Sequence, residues 1–77
     1  MIKEFDSVLL NIDLPEDGLF VGDVGVVVDI LAGGEAYYVE FMTYSGKTIA
    51  VRMLEANEVR AMKGDPMLRV RELAEAA

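Results

Sequence analysis

Hydrophobic and polar residues alternate with a period of two along several short stretches of the chain. The clearest stretch spans residues 37–42, where one face holds Tyr37, Val39 and Phe41 and the other holds Tyr38, Glu40 and Met42. A period of two with aromatic and β-branched residues is typical of a half-buried strand. The pattern therefore predicts a strand with its odd-numbered side chains in a core and its even-numbered side chains on an outer face.

The stretch from Val21 to Ile30 combines a tight turn with a β-branched run. Gly22 and Asp23 form the turn, and Gly25 stands near the start of the run. Glycine tolerates positive φ, and a glycine inside a strand lets another part of the chain approach closely. We interpret Gly22, Asp23 and Gly25 as structural turn residues. The combination is typical of a small, strongly bent β-barrel.

Turn residues divide the chain into five such segments. They predict strands near residues 5–12, 24–31, 37–42, 48–54 and 59–62. A turn is expected over residues 14–18, with Gly18 in the left-handed conformation, and one 3₁₀ turn over residues 55–58. In the fourth strand, we expect Ile49, Val51 and Met53 to face the core and Thr48, Ala50 and Arg52 to lie outside. The predicted core is Val8, Leu10, Val26, Val28, Val39, Phe41, Ile49, Val51 and Leu54.

The last segment of the chain fits two structures. Asp65 as N-cap and Pro66 at the first helical position favour a helix, and residues 72–77 have high helix propensity. Residues 68–71, however, alternate in the manner of a strand. We favour the helix. The predicted organisation is a barrel over residues 1–64 with a short C-terminal helix or extended tail over residues 65–77.

Composition restricts the chemistry available to the chain. Its 77 residues suffice for one small domain, and with no cysteine and no histidine it can form neither disulfides nor the usual zinc sites. The absence of a signal peptide and of a run of about 20 apolar residues leads us to expect a cytoplasmic protein that does not enter the membrane. We also expect no cofactor, no metal and no catalytic residues.

Charge is distributed unevenly. The net charge is −7, yet residues 1–46 hold nine acids and one base, whereas residues 47–77 hold five acids and six bases. An acidic surface repels the phosphate backbone that supplies most non-specific nucleic-acid affinity. The same surface serves solubility, or it recognises a basic protein partner.

Several motifs resemble known families. The segment 22–27, Gly-Asp-Val-Gly-Val-Val, resembles the KOW motif found in SH3-like barrels, although Asp23 and Asp29 replace the basic residues expected for RNA binding. A broader pattern covers residues 5–62 and includes Asp-Ser-Val-Leu-Leu at 6–10, Asp-Leu-Pro-Glu-Asp-Gly-Leu at 13–19, Val-Glu-Phe at 39–41 and Val-Arg at 59–60. It is similar to small bacterial proteins grouped as domain of unknown function 4926. That resemblance implies an all-β, five-stranded SH3-like fold and an antitoxin or immunity role, with no catalytic residues.

Candidate binding residues come from the predicted outer face. Tyr38 and Met42 should project outward, with Tyr44 at the adjoining hairpin, and these residue types and arginine are enriched at protein interfaces. Arg52 is expected beside Glu40 as a cross-strand pair. The alternative is that the C-terminal segment covers this face. The acidic cluster of Asp13, Glu16 and Asp17 is a weaker candidate for a hard cation, because its spacing does not match a calcium loop.

Two functions remain after these exclusions. The favoured one is a non-enzymatic module that binds a protein partner, with the chain itself a homo-oligomer, most simply a dimer. The dimer would use apolar surface from the C-terminal segment and the outer face near Tyr38, because a 53% apolar composition with mean hydropathy +0.31 exceeds what a small barrel hides. The alternative is a KOW-like nucleic-acid-binding barrel with a basic patch of Lys47, Arg52, Arg60 and Lys63. An oligomeric enzyme with a shared central pore is a third option.

Overall fold

Five antiparallel strands form a single sheet. The computed structural model describes residues 1–63, and its strands are β1 (Ser7–Leu10), β2 (Val24–Leu31), β3 (Ala36–Met42), β4 (Thr48–Glu55) and β5 (Val59–Ala61). Hydrogen bonding orders them β4-β3-β2-β1-β5. The all-β prediction is confirmed, and the strand order is consistent with an SH3-like barrel. The segment 65–77, for which we predicted a helix or an extended tail, lies outside the described residues.

The buried hydrophobic side chains of residues 1–63 belong to one cluster, to which each of the five strands contributes. Five of the predicted core residues are in it, and they lie on the three strands β1, β3 and β4: Val8, Leu10, Val39, Phe41 and Leu54. The cluster also contains Leu14, Leu19, Val27, Tyr37 and Val59. Because β4 and β5, the two ends of the sheet, supply residues to the same cluster, the sheet encloses its core on several sides.

A bulge in β2 reverses part of the predicted side-chain pattern. Val27 pairs with Val39, but the next pair joins Asp29 to Tyr38, so Val28 is an extra residue. One extra residue changes the face of every side chain beyond it. Val27 is therefore buried, whereas Val26 and Val28, which we predicted in the core, are only partly buried.

The prediction for the faces of β4 is wrong. Phe41 pairs with Ala50, and Met42 with Thr48, so Ile49 is the extra residue of a second irregularity. Beyond it, the side chains of Val51 and Met53 lie on the outer side of the sheet. The core side is occupied by the residues that pair with the buried residues of β3, namely Ala50, Arg52 and Leu54. Ile49 still packs against the core from its irregular position.

Two short 3₁₀ turns connect the strands. The turn at 14–18 is confirmed: Pro15–Asp17 form a 3₁₀ turn that Gly18 ends with a φ of 72°. Leu14 and Leu19 close the turn by exchanging backbone hydrogen bonds of 2.8 and 3.1 Å, and both side chains are buried. The 3₁₀ turn at Ala56–Glu58 is also confirmed, and reciprocal side-chain bonds of Glu55 and Glu58 cap it.

Gly22 and Gly25 meet different structural requirements. Gly22 has a φ of 91°, which disfavours any other residue at the turn, and Asp23 accepts a 2.8 Å hydrogen bond from the backbone of Phe20. At Gly25, a β-carbon would lie 2.5 Å from Val39 Cγ1 and 2.7 Å from Phe41 Cε1. Both glycines are therefore required by packing or backbone conformation.

Within residues 1–63, no helix is both long and apolar enough to traverse a bilayer.

Candidate protein-binding face

The outer surface of β3 and β4 is an apolar face with one carboxylate near its middle. We call it the outer β3–β4 face and define it by Tyr38, Glu40, Met42, Val51 and Met53. Two cross-strand pairs organise it: Tyr38 is opposite Met53, and Glu40 is opposite Val51. The exposed fractions are 40% for Tyr38, 43% for Met42, 51% for Val51 and 61% for Met53. A cluster of this composition is typical of an interface.

Acidic groups accompany this apolar surface. Glu40 lies within it and accepts a 2.7 Å hydrogen bond from the hydroxyl of Thr48, which holds the carboxylate on the face. On the neighbouring strand β2, Asp29 pairs with Tyr38 and is exposed. Together they give the face an apolar and negative character.

Tyr44 lies at the tip of the β3–β4 hairpin, just beyond Met42. Its side chain is fully exposed. The hairpin around it is ordered by the hydroxyl of Thr43, which accepts from the backbone N–H of Lys47 at 3.1 Å and lies 3.1 Å from the hydroxyl of Ser45. These contacts place Tyr44 in the hairpin beyond one end of the outer β3–β4 face.

Arg52 does not lie on that face. We expected it on the outer side of β4 beside Glu40, but it pairs with Val39 on the core side of the sheet. Its guanidinium forms a 3.2 Å ion pair with Glu16 and a second, shorter ion pair with Asp17. The physical reason is that the aliphatic stem covers the rim of the core while the acidic turn supplies the charge that a guanidinium requires.

The three charges of this cluster influence one another. Hydrogen bonding to its own backbone, followed by hydrogen bonding to Arg52, holds the pKa of Glu16 below its ordinary value. Hydrogen bonds to Glu16 and then Asp17 raise the pKa of Arg52, which keeps the guanidinium charged. The ion pairs of Arg52 with Glu16 and Asp17 connect the turn at residues 15–17 to β4, across the rim of the core.

The acidic residues proposed as cation ligands have other partners. Glu16 and Asp17 are paired with Arg52, and Asp13 accepts a 2.9 Å hydrogen bond from the backbone N–H of Val21. Over residues 1–63, no group of three or more acidic side chains is placed to hold a metal ion. The arrangement provides ion pairing and turn stabilisation.

The basic residues of the alternative function are distributed over distant strands. Arg52 is on β4 and Arg60 on β5, at opposite ends of the strand order. Arg60 donates to the carbonyl of Leu10 and to the side chain of Asn11, so its guanidinium is committed within the protein. Lys47 and Lys63 are exposed, in the β3–β4 hairpin and after β5.

Sequence reasoning missed Val51 and Met53 as members of the face, because their alternation with Arg52 predicted them inside. The predicted core includes Leu54, and this residue indicates the correct faces of β4. Leu54 shares a face with residues 52 and 50, so a strand that buries Leu54 must turn Met53 and Val51 outward.

Comparison with protein families agrees with the pattern of strands and turns. The family model described as a domain of unknown function (DUF4926) matches residues 4–61, which include all five strands. The chain belongs to this family. Searches of curated proteins and of solved structures found no significant match. The family's description assigns no activity, so a function for this DUF4926 protein must be argued from its surface.

Proposed function

We propose that this DUF4926 protein is a non-enzymatic binding module whose outer β3–β4 face receives a basic protein partner, in the manner of an antitoxin or immunity protein. The observation that carries the proposal is the cluster of Tyr38, Met42, Val51 and Met53 around the fixed carboxylate of Glu40. Large exposed side chains of these types release water when covered, and the acidic groups select a positive partner.

The described residues offer little support for catalysis. Burial is one cause of the altered acidity of catalytic carboxylates, and no aspartate or glutamate side chain within residues 1–63 is buried. A nucleic-acid function is also less well supported, because Arg52 and Arg60 already bind acceptors within the fold and the net charge is −7.

Titration with two synthetic peptides tests the proposal. One peptide alternates leucine with lysine, and its matched control alternates leucine with glutamate. We expect the lysine peptide to shift the amide NMR signals of Tyr38, Met42 and Val51, with weaker binding at high salt, and the glutamate peptide to have no effect. Single-stranded DNA and RNA should cause no shift in a low-salt gel assay.

A matched pair of variants localises the binding. Met42→Ala should weaken peptide binding at least several-fold, because it removes apolar contact area from the face. Val24→Ala, which shortens an exposed apolar side chain on β2, serves as the control and should bind normally. Unchanged binding by Met42→Ala, or chemical shifts confined to the 15–18 turn, would contradict the proposed face.

A further inference from the structure

β4 is a long strand with a second edge that no described strand covers. It has eight residues, Thr48–Glu55, and stands at the end of the strand order, where it pairs with β3 alone. The strand at the other end, β5, has only three residues. A long edge strand presents a row of backbone donors and acceptors to which another strand can add.

The register shows which residues present those groups. The backbone N–H of Ala56 donates to the carbonyl of Glu35, so these two residues form a hydrogen-bonded pair. Pairing then continues without interruption from Ala36 opposite Glu55 to Phe41 opposite Ala50. Since hydrogen-bonded and non-hydrogen-bonded pairs alternate in antiparallel sheets, Val51 and Met53 direct their N–H and C=O groups away from β3.

From Ala50 to Glu55, beyond the irregularity at Ile49, this edge has few of the features that prevent strand addition. β4 contains no proline and no lysine, and the residues that offer backbone groups carry the apolar side chains Val51 and Met53. The charge of Arg52 is engaged by Glu16 and Asp17 on the core side of the strand. Edge strands of monomeric proteins usually contain charges or proline at such positions.

We propose that two copies of the protein join through β4, antiparallel about a two-fold axis, so that the two sheets become one. Val51 then stands opposite Val51 of the partner subunit. This register places Arg52 opposite the partner's Ala50, and it places Met53 beside the partner's Ile49, the extra residue of the irregularity in β4.

Other two-fold registers are less favourable. A shift that places Val51 opposite the partner's Met53 brings Arg52 opposite the partner's Arg52, and like charges in that position are destabilising. A further shift sets Val51 opposite the partner's Glu55 and removes an apolar contact.

The dimer joins the two outer β3–β4 faces into one surface across the axis. The sequence led us to expect dimer contacts from the C-terminal segment, which lies outside the described residues. The inference depends on the backbone of β4 and stands independently of any basic partner, so the peptide titration and the dimer can fail separately.

Single cysteines test the register without interference, because the chain has none of its own. In a hydrogen-bonded pair, the two residues at position 51 have Cα atoms about 5.5 Å apart, within the range for a disulfide. Under mild oxidation, Val51→Cys should form a covalent dimer at least ten-fold faster than Tyr44→Cys, whose residue is exposed but distant from the axis.

Sedimentation equilibrium at micromolar concentration provides the second measurement. The wild type should have twice the mass of the 8.5 kDa chain. Val51→Lys should be a folded monomer by circular dichroism, since it sets two lysines opposite each other, and Met42→Lys should remain a dimer. A monomeric wild type overturns the proposal. A dimer in which Val51→Cys reacts no faster than Tyr44→Cys, or that Val51→Lys leaves intact, overturns it as well.

Discussion

Gly25 faces the side chains of Val39 and Phe41 with no room for a β-carbon. We expect Gly25→Ala to lower the free energy of unfolding by about 1–3 kcal/mol, because Val39 and Phe41 must move from well-packed positions, and Gly25→Val to cost more. Urea unfolding measures the change, and Val24→Ala on the outer side of the same strand is the control. A Gly25→Ala protein as stable as the wild type would show that Val39 and Phe41 can move aside without a loss of stability.

Phe41 is the largest fully buried side chain of the described residues. Phe41→Ala should cost about 3–5 kcal/mol, which is a large part of the stability of a small domain. Its neighbour Met42 lies on the outer face, so Met42→Ala should change stability by no more than about 0.5 kcal/mol. Equal losses in the two variants would contradict the assignment of faces in β3.

Alternation alone predicts which residues of β3 are buried, because β3 is regular from Ala36 to Phe41. The same reasoning fails in β2 and β4, since each contains one extra residue, Val28 or Ile49. Both are β-branched and apolar, so they fit a regular strand as well as a bulge. A bulge depends on pairing with a neighbouring strand, which a local pattern does not contain.

At the scale of elements, the turn at Pro15–Asp17 depends on a residue of β4. Removal of the guanidinium in Arg52→Gln should lower the melting temperature at about pH 7. Because folding lowers the pKa of Glu16, the ionised carboxylate stabilises the fold above its unfolded pKa, and this contribution disappears as the pH falls through the lowered folded value. The difference between the two proteins should therefore shrink towards about pH 3.

Thermal melts of both proteins at the two pH values measure this effect. Lys47→Gln removes one positive charge from the exposed hairpin and is the matched control, with no difference that depends on this pH range. Part of the contribution of Glu16 should persist in Arg52→Gln, since hydrogen bonding to its own backbone is the larger cause of its lowered pKa. An Arg52→Gln deficit that is constant with pH would exclude a role for Glu16.

The number of strands and their approximate limits along the chain could be predicted because turn residues such as glycine separate them. The Gly18 conformation and the 3₁₀ turn at Ala56–Glu58 follow from local residue preferences in the same way. The Arg52 ion pairs could not be predicted, because they join positions 35 and 36 residues apart. Nothing in the local sequence shows that the acidic turn is adjacent to β4.

At the scale of the whole molecule, a charge of −7 acts in opposite directions on the two proposed interactions. Salt screens charges over about 10 Å at 0.1 M. Rising salt should therefore weaken binding of the lysine peptide and strengthen self-association, in which two acidic chains meet. Sedimentation and titration over a salt series measure both trends. Trends of the same sign would mean that one of the two interfaces has been assigned the wrong electrostatic character.

Three of the four candidate binding residues have the exposure that the sequence predicted. Tyr38, Met42 and Tyr44 are exposed at one side of the sheet, as their spacing predicted, although their role in binding remains a proposal. Arg52 lies on the core side of β4, whereas Val51 and Met53, which we expected in the core, lie on the outer side. The error arises because a strand with arginine between apolar residues is assumed to point its charge outward, whereas here an acidic turn satisfies that charge at the rim of the core.

The position of β1 between β2 and β5 has a consequence for the growing polypeptide. β1 is synthesised before the other described strands, yet one of its two neighbours, β5, is synthesised after them, with Val8 opposite Ala61. During translation, β1 and β2 can form a hairpin early, but the far side of β1 stays open until the codons for Val59–Ala61 have been read. A nascent chain that stalls before that point lacks the strand that pairs with this edge of β1, and the backbone groups of β1 stay exposed there.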